Sequence, residues 1–251
     1  MENLILIPAR SGSTRVKNKN LRPLGGVPLI GHAIKSALAS KAGRVVLSTN
    51  DETIAATARE LGAETPFLRP PELATSTAPS LPVILHALDW LEKNEGFRAD
   101  MVAYCPPTNP FLKPETLRDM FATLAARPDC MSMETITAPA AHPFTIVFQG
   151  EDGRILTGAI EIQGKTILDV ERSQDWPEVW QGSPACRLSR ASFFRDILDN
   201  DPDWMSRSGR TYDHTNCLGH RVDPLQAMDI DDEDDWRMAE TVMARLNRDA
   251  G

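Results

Sequence analysis

No apolar run in the sequence approaches the ~20 residues a membrane-spanning helix needs. The opening Met-Glu-Asn-Leu-Ile-Leu-Ile-Pro-Ala-Arg segment lacks a basic n-region, and its apolar run is too short for a secretory signal. Cysteine is scarce. The four residues, Cys105, Cys130, Cys186 and Cys217, are widely separated and show no metal-ligand spacing, which argues for a cytoplasmic protein with free thiols. The five histidines also lack ligand spacing. His32 and His86 fall within helical patterns and read as structural residues. Trp176, Trp180, Trp204 and Trp236 read as packing anchors rather than stacking platforms. There is no Gly-Lys-Ser/Thr phosphate loop, no dinucleotide fingerprint, no internal repeat and no low-complexity tract.

What remains is an ordinary globular composition of 41% hydrophobic and 25% charged residues in 251 positions, enough for one large α/β domain. The net charge of −8 conceals an asymmetry. Residues 1–44 hold eight Lys/Arg against one Glu, whereas the remainder holds 19 basic and 34 acidic residues. A short basic segment on an acidic protein excludes the extended basic face of a nucleic-acid binder and suits a small anionic ligand.

Leu4 to Ile7 is an apolar run ending at Pro8, as expected of a buried parallel strand. Pro28 then introduces a helix with Leu29, Ile30, Ala33, Ile34 and Leu38 on one face. Val45 to Leu47 is a second strand, followed by a helix from about Asp51 to Leu61 that Gly62 stops. Helices are expected at Leu81 to Leu91 and Glu115 to Ala126, with a strand at Met101 to Tyr104. The alternation predicts helices on both faces of a mostly parallel sheet. Ligands in such folds sit beyond the carboxyl ends of the strands. The loop after Ile7, the turn at Ser48 to Asp51 and the turn at Pro106 to Asn109 therefore surround one cleft. From about residue 135 to 182 the pattern changes to short strands, at Thr145 to Phe148, Arg154 to Leu156 and Lys165 to Leu168, which describes a β-rich arm inserted into one domain spanning 1–251. A helix near Ala191 to Leu198 returns to the core, and Asp199 to Thr211 reads as a polar, mobile stretch.

The chemistry concentrates between Ala9 and Asn20. Ser11, Gly12 and Ser13 let the backbone turn its amides inward, and Arg10, Arg15, Lys17 and Lys19 supply four cations within ten positions. Amides and cations together are what a triphosphate requires. Asp229 and Asp231, spaced i and i+2 in an extended segment, face one side and can share a divalent ion. The competing reading makes Asp231 the N-cap of a helix whose first turn carries Asp232, Glu233, Asp234 and Asp235. Arg69, stiffened by flanking prolines, is read either as a ligand contact or as a surface ion pair.

Ile7 to Ser13, Lys19-Asn20-Leu21 and Gly26 to Ile30 resemble the N-terminal signature of the acylneuraminate (sialic acid) cytidylyltransferases. Ser48 to Asp51, Phe67 to Ala74 and Asp229 to Asp231 with Asp235-Trp236 and Ala239-Glu240 resemble further motifs in the same order. The resemblance implies a three-layer, Rossmann-like fold of the nucleotide-diphospho-sugar transferase type with a dimerisation arm, so a homodimer is expected. It implies transfer of CMP from CTP to an acidic 2-keto sugar, with Mg²⁺ on Asp229 and Asp231 and release of pyrophosphate. It also implies nucleotide contacts from Ala9, Arg10, Ser11, Gly12, Ser13, Arg15, Lys19, Asn20, Arg69 and Ser80, and acceptor contacts from Asn109 and from Arg172 or Arg187. Arg10, Lys19, Asp229 and Asp231 are the expected catalytic set; no general base is named.

Departures cluster in the acceptor half. Pro106 stands where many members have Gln, Ser76 replaces an acid, and Pro184-Ala185-Cys186-Arg187 replaces a Gly-Ala-Ile-Tyr pattern. Wording such as Pro-Thr-x-Pro-Phe-Leu is closer to pseudaminic acid cytidylyltransferases. The alternatives are therefore pseudaminic or legionaminic acid, Kdo or a non-sugar acid as acceptor, or a catalytically silent nucleotide-binding domain.

Overall fold

A computed structural model describes residues 1–13, 15–200, 211–213 and 215–249. The expected mobile stretch Asp199 to Thr211 lies, but for its ends, outside the described residues, and so do Trp204 and His214.

The sheet is built from β1 (Asn3–Pro8), β4 (Arg44–Ser48), β5 (Met101–Tyr104), β6 (Ser132–Thr137), β9 (Gln181–Arg190) and β10 (Cys217–Arg221), in the order β10-β6-β9-β5-β1-β4. β1 runs parallel to β4 and β5, and β10 parallel to β6; β9 alone runs against its neighbours. Two short antiparallel pairs accompany it: β2 (Pro23–Leu24) with β3 (Val27–Pro28), and β7 (Phe148–Gln149) with β8 (Ile155–Leu156). The helices are α1 (Leu29–Ser40), α2 (Glu52–Glu60), α3 (Ser80–Glu95), α4 (Pro114–Ala125), α5 (Ala191–Asn200) and α6 (Glu233–Asp249).

Alternation along β1 divides the core. Ile5 and Ile7 pack on one face with Ile30 and Ile34 of α1 and with Leu117 and Met120 of α4. Leu4 and Leu6 pack on the other with Leu81 and Ile84 of α3 and Phe194 of α5. Because both faces are covered, β1 is a continuous apolar run rather than an alternating one. Leu38, expected on the apolar face of α1, is 39% exposed. A third cluster, around fully buried Trp236, seats α6 against Val16, Leu24, Leu29, Phe111 and Ile230. This carries the C-terminal segment back to the loop that follows β1.

The antiparallel strand β9 is absent from the sequence expectation. Gly182 and Pro184 disguise it; Gly182 pairs with Ile136, and Pro184 is accommodated where the β6 register shifts between Glu134 and Thr135. The Thr135 hydroxyl pins that irregularity by donating to the Ser183 carbonyl (3.0 Å) and accepting from the Cys186 amide (3.2 Å). The arm also differs from expectation. Thr145 ends a 3-10 turn (Pro143–Thr145), and Ile167–Asp169 is another rather than a strand. Thr166 and Asp169 close that second turn through a capping box.

Cys105 and Cys186, distant in sequence, bring their sulfurs to 3.6 Å as buried thiols. His32 and His86 are held structurally: His32 Nε2 lies 2.9 Å from the Leu24 carbonyl, and His86 meets Phe67 edge to face. Burial lowers the pKa of His32, His86 and His220, so these rings take up protons less readily in the fold than in an unfolded chain, where they titrate near 6.5. Stability then rises with pH through that range and falls on acidification. The expected outcome is a melting temperature that drops by several degrees between pH ~7.5 and ~5.5. His86→Gln is expected to flatten that slope when melting is followed by circular dichroism.

Asp232 begins α6. Its Oδ1 accepts from the amides of Asp234 (2.8 Å) and Asp235 (3.0 Å), and Asp235 Oδ2 accepts from the amide of Asp232 (3.0 Å). The cap is therefore Asp232, and Asp231 is released from that role. Asp232→Ala is expected to lower the melting temperature by ~2–4 °C; Asp232→Asn is expected to retain most of the parent's stability.

Candidate nucleotide site

The carboxyl ends of β1, β4 and β5 open onto a cleft of about 270 Å³. Its lining includes Arg10, Ser13, Arg15, Lys19 and Asn20 from the loop after β1, Arg69 from the loop after α2, and Ser80 at the start of α3. Tyr104, Pro106, Pro107 and Thr108 come from the end of β5, and Asp231 from the segment before α6.

The loop is fixed by its backbone. The Ala9 amide donates to the Ser48 carbonyl (2.9 Å), and the Asn20 side chain donates to the Arg10 carbonyl (2.8 Å). Asn50 reaches across from the end of β4, accepting from the Ser11 amide and donating to the Ser11 hydroxyl, both at 2.9 Å. Gly12 adopts φ +74°, a conformation that favours glycine. Ser11 and Gly12 line a small recess beside the cleft, together with Arg10, Lys19 and Asn20.

Arg69 is not a surface ion pair. It is 5% exposed, and its guanidinium donates to the Ser48 hydroxyl (3.0 Å) and to the Ser48 carbonyl. Its own amide donates to the Thr49 carbonyl (2.6 Å), which ties the Arg69 loop to the end of β4. Burial lowers its pKa, with the neighbouring Arg10 charge acting in the same direction. A guanidinium remains charged under these conditions. Tyr104, whose pKa burial raises, shares a hydrogen bond with Ser80.

Lys19 crosses the cleft to donate to the Ile230 carbonyl at 2.7 Å. Burial lowers its pKa, and the adjacent charges of Asp231 and Asp229 oppose that shift. The Ile230 amide in turn donates to the Thr108 carbonyl (2.9 Å). One residue thus anchors the acidic segment to both sides of the cleft. Asp229 is turned inward: burial raises its pKa against a hydrogen bond from Thr108, and its Oδ1 is buried with no hydrogen-bond partner among the described residues. Asp231 is half exposed and lies 3.5 Å from Arg15. An exposed pair at that distance contributes little and exchanges readily. Among the described residues no group of three or more His, Cys, Asp or Glu side chains stands ready for a metal.

The acceptor candidates separate. Asn109 is buried (1% exposed), and its amide is spent on the Met228 carbonyl at 2.9 Å, where it supports the acidic segment instead of facing the cleft. Arg172 is exposed in the arm and paired with Asp175 at 2.8 Å. Arg187 is the register partner of Tyr104 on β9, beside the cleft wall. Tyr104, Asn50 and Thr108 were not singled out as site residues from the sequence. A strand-end tyrosine reads simply as core, and only the sheet order brings it to the cleft.

The Cytidylyltransferase family model matches residues 4–148. A CMP-N,N'-diacetyllegionaminic acid synthase of Legionella pneumophila is 42% identical over 119 residues, 47% of this chain and 51% of that protein. At that level of identity the chain spans about half the length of the curated relatives it matches. A CMP-N,N'-diacetyllegionaminic acid synthase of Campylobacter jejuni is 27% identical over 98% of this chain and 97% of its own. A solved CMP:2-keto-3-deoxy-manno-octonic acid synthetase, complexed with CTP, shares the fold at 15% identity, with a TM-score of 0.69 over 98% of this chain and 100% of that one. With more than half of its length matched by the family model, this chain belongs to the cytidylyltransferase family.

Proposed function

We propose that the chain transfers CMP from CTP to an acidic 2-keto sugar of the nonulosonate class, with release of pyrophosphate. The observation that carries this reading is the Lys19 bridge to Ile230. It holds a four-cation loop against two carboxylates at the carboxyl ends of a parallel sheet. The names of the two synthases support the choice of acceptor.

In this reading a hydroxyl of the acceptor attacks the α-phosphorus; a new oxygen–phosphorus bond forms, the bond to the β-phosphate oxygen breaks, and the hydroxyl proton passes to water as pyrophosphate leaves. Arg10, Arg15 and Lys19 meet the β- and γ-phosphates, where charge builds as pyrophosphate departs. The loop amides at Ser11 to Ser13 hold the phosphates, and Asn20, Arg69 and Ser80 hold the nucleoside. The unpartnered Asp229 Oδ1 fits a hard cation, so Asp229 and Asp231 are the residues that would hold Mg²⁺. Such an ion would neutralise triphosphate charge and make the α-phosphorus more electrophilic. Arg187 supplies the cation for the acceptor's carboxylate. The exposed apolar side chains Phe148, Ile155, Leu156 and Leu168 support reading the arm as the contact of a homodimer. Four unpaired cysteines support a cytoplasmic location.

Pyrophosphate release from CTP, measured with Mg²⁺ and a panel of keto sugar acids, tests the reading; no turnover with any of them would overturn it. Lys19→Met and Asp231→Asn are each expected to lower kcat/KM for CTP by ~10²-fold or more. Asp229→Asn is expected to lose turnover as well. Because it removes a buried charge, it should melt no lower than the parent without metal, and it should lose the stabilisation that Mg²⁺ and CTP together give the parent.

A further inference from the structure

Beyond Tyr104 the sheet carries a charged row that the nucleotide half does not use. Register places Tyr104 of β5 opposite Arg187 of β9, and Arg187 opposite Glu134 of β6. The three side chains therefore stand side by side on one face. Tyr104 lines the cleft and hydrogen-bonds Ser80, so the row leads directly out of the nucleotide site. Arg187 and Glu134 are mostly covered, at 33% and 20% exposed, yet the pair is poorly closed. Nε of Arg187 lies 3.9 Å from Glu134 Oε2, is buried, and has no hydrogen-bond partner among the described residues. The guanidinium lies over the Tyr212 ring at 5.3 Å.

Covered charges gain from pairing only when geometry and hydrogen bonding are good. Here the 3.9 Å separation leaves the Arg187 Nε donor unsatisfied by Glu134. Other arginines of this region are different: Arg172 and Arg221 are exposed and paired with Asp175 (2.8 Å) and Glu178 (3.3 Å). A Cβ at Gly182 would stand 3.5 Å from both Glu134 carboxylate oxygens, and the register shift pinned by Thr135 falls immediately beside the pair.

Building on the functional reading above, we propose that Glu134 and Arg187 act together as the acceptor-selecting pair. Arg187 takes the acceptor's carboxylate, and Glu134 takes a hydrogen-donating hydroxyl or ammonium group adjacent to it. A 2-keto sugar acid in its ring form satisfies both, since carboxylate and hydroxyl share one carbon. The Glu134 charge disfavours an acceptor that places a second anion there. Selectivity for hydroxylated or aminated monoacids over diacids and phosphorylated acids thus resides in two residues outside the nucleotide site.

Steady-state kinetics with CTP and a keto sugar acid, its carboxamide and a phosphorylated analogue test the pair in the full-length protein. Glu134→Gln and Arg187→Met are expected to raise the KM for the acid by about tenfold or more while leaving the KM for CTP within about twofold. Glu134→Asp is expected to retain most of the parent's preference. Arg187→Met should lose discrimination between acid and carboxamide, and Glu134→Gln should narrow the gap to the phosphorylated analogue. Because a lone buried charge can unfold a variant, the double change Glu134→Met with Arg187→Met is included; it should melt like the parent and still fail on the acceptor. Unchanged acceptor KM in these variants, or equal increases for CTP and acceptor, would overturn the pair while leaving the functional reading intact. A parent protein inactive on every acceptor would instead overturn both.

Discussion

The site depends on one bond between segments 211 positions apart, the donation from the Lys19 ammonium to the Ile230 carbonyl. Packing of Ile230 and Trp236 against Val16 brings the acidic segment to the basic loop, and long-range charge, which salt screens, adds to it. With the Lys19 bond in place, Asp229 and Asp231 flank a half-buried cation whose own desolvation they offset. The Ile230 amide on the Thr108 carbonyl and the Asn109 side chain on the Met228 carbonyl complete the attachment from the β5 side. Asp232 and Asp235 then satisfy the first amides of α6, so the helix starts one residue beyond the site and leaves Asp231 free to face it.

A cleft built this way is pre-organised on one side and adjustable on the other. Arg69 is buried against Ser48, and Asn50 holds Ser11 by two hydrogen bonds; these are costly to rearrange because each would strand a covered polar group. Arg15 and Asp231, in contrast, meet at 3.5 Å in solvent, and that pair separates at little cost when a phosphate or a cation competes. Rigid donors beside exchangeable charges suit a site that must bind a polyanion and then release one.

Much of this was legible in the sequence, and the reason is local. A buried parallel strand reads as an apolar run, so β1, β4 and β5 stand out, and small residues with cations directly after such a strand mark a phosphate loop. The acidic segment was legible as a spacing but not as a contact, because the choice between metal ligand and helix cap turns on which aspartate reaches which amide. Legibility failed where sheet order and local pattern disagree. β9 carries Gly182 and Pro184 inside a central antiparallel strand, and Lys165 to Leu168 has strand-like residues that a Thr166–Asp169 capping box bends into a turn. Asn109, plausible as a ligand by its position in a turn after a strand, is consumed by a carbonyl that no spacing rule would identify.

On the functional reading proposed above, the same topology separates recognition of the nucleotide from recognition of the acceptor. The nucleotide half would be carried by loops and by backbone groups tied to β1 and β4. The acceptor half, on the reading proposed here, is carried by side chains in one row across β5, β9 and β6. Side chains in a sheet alternate with period two, so a substitution at Arg187 or Glu134 alters one row on one face and leaves the register, and hence the loops, in place. The register shift beside Glu134 lengthens β9 relative to β6 by extra residues that need not pair, and it absorbs Pro184 without breaking the sheet. A change confined to a bulge and its neighbouring row can redirect which acid enters while Lys19, Asp229 and Asp231 keep the geometry that phosphoryl chemistry demands.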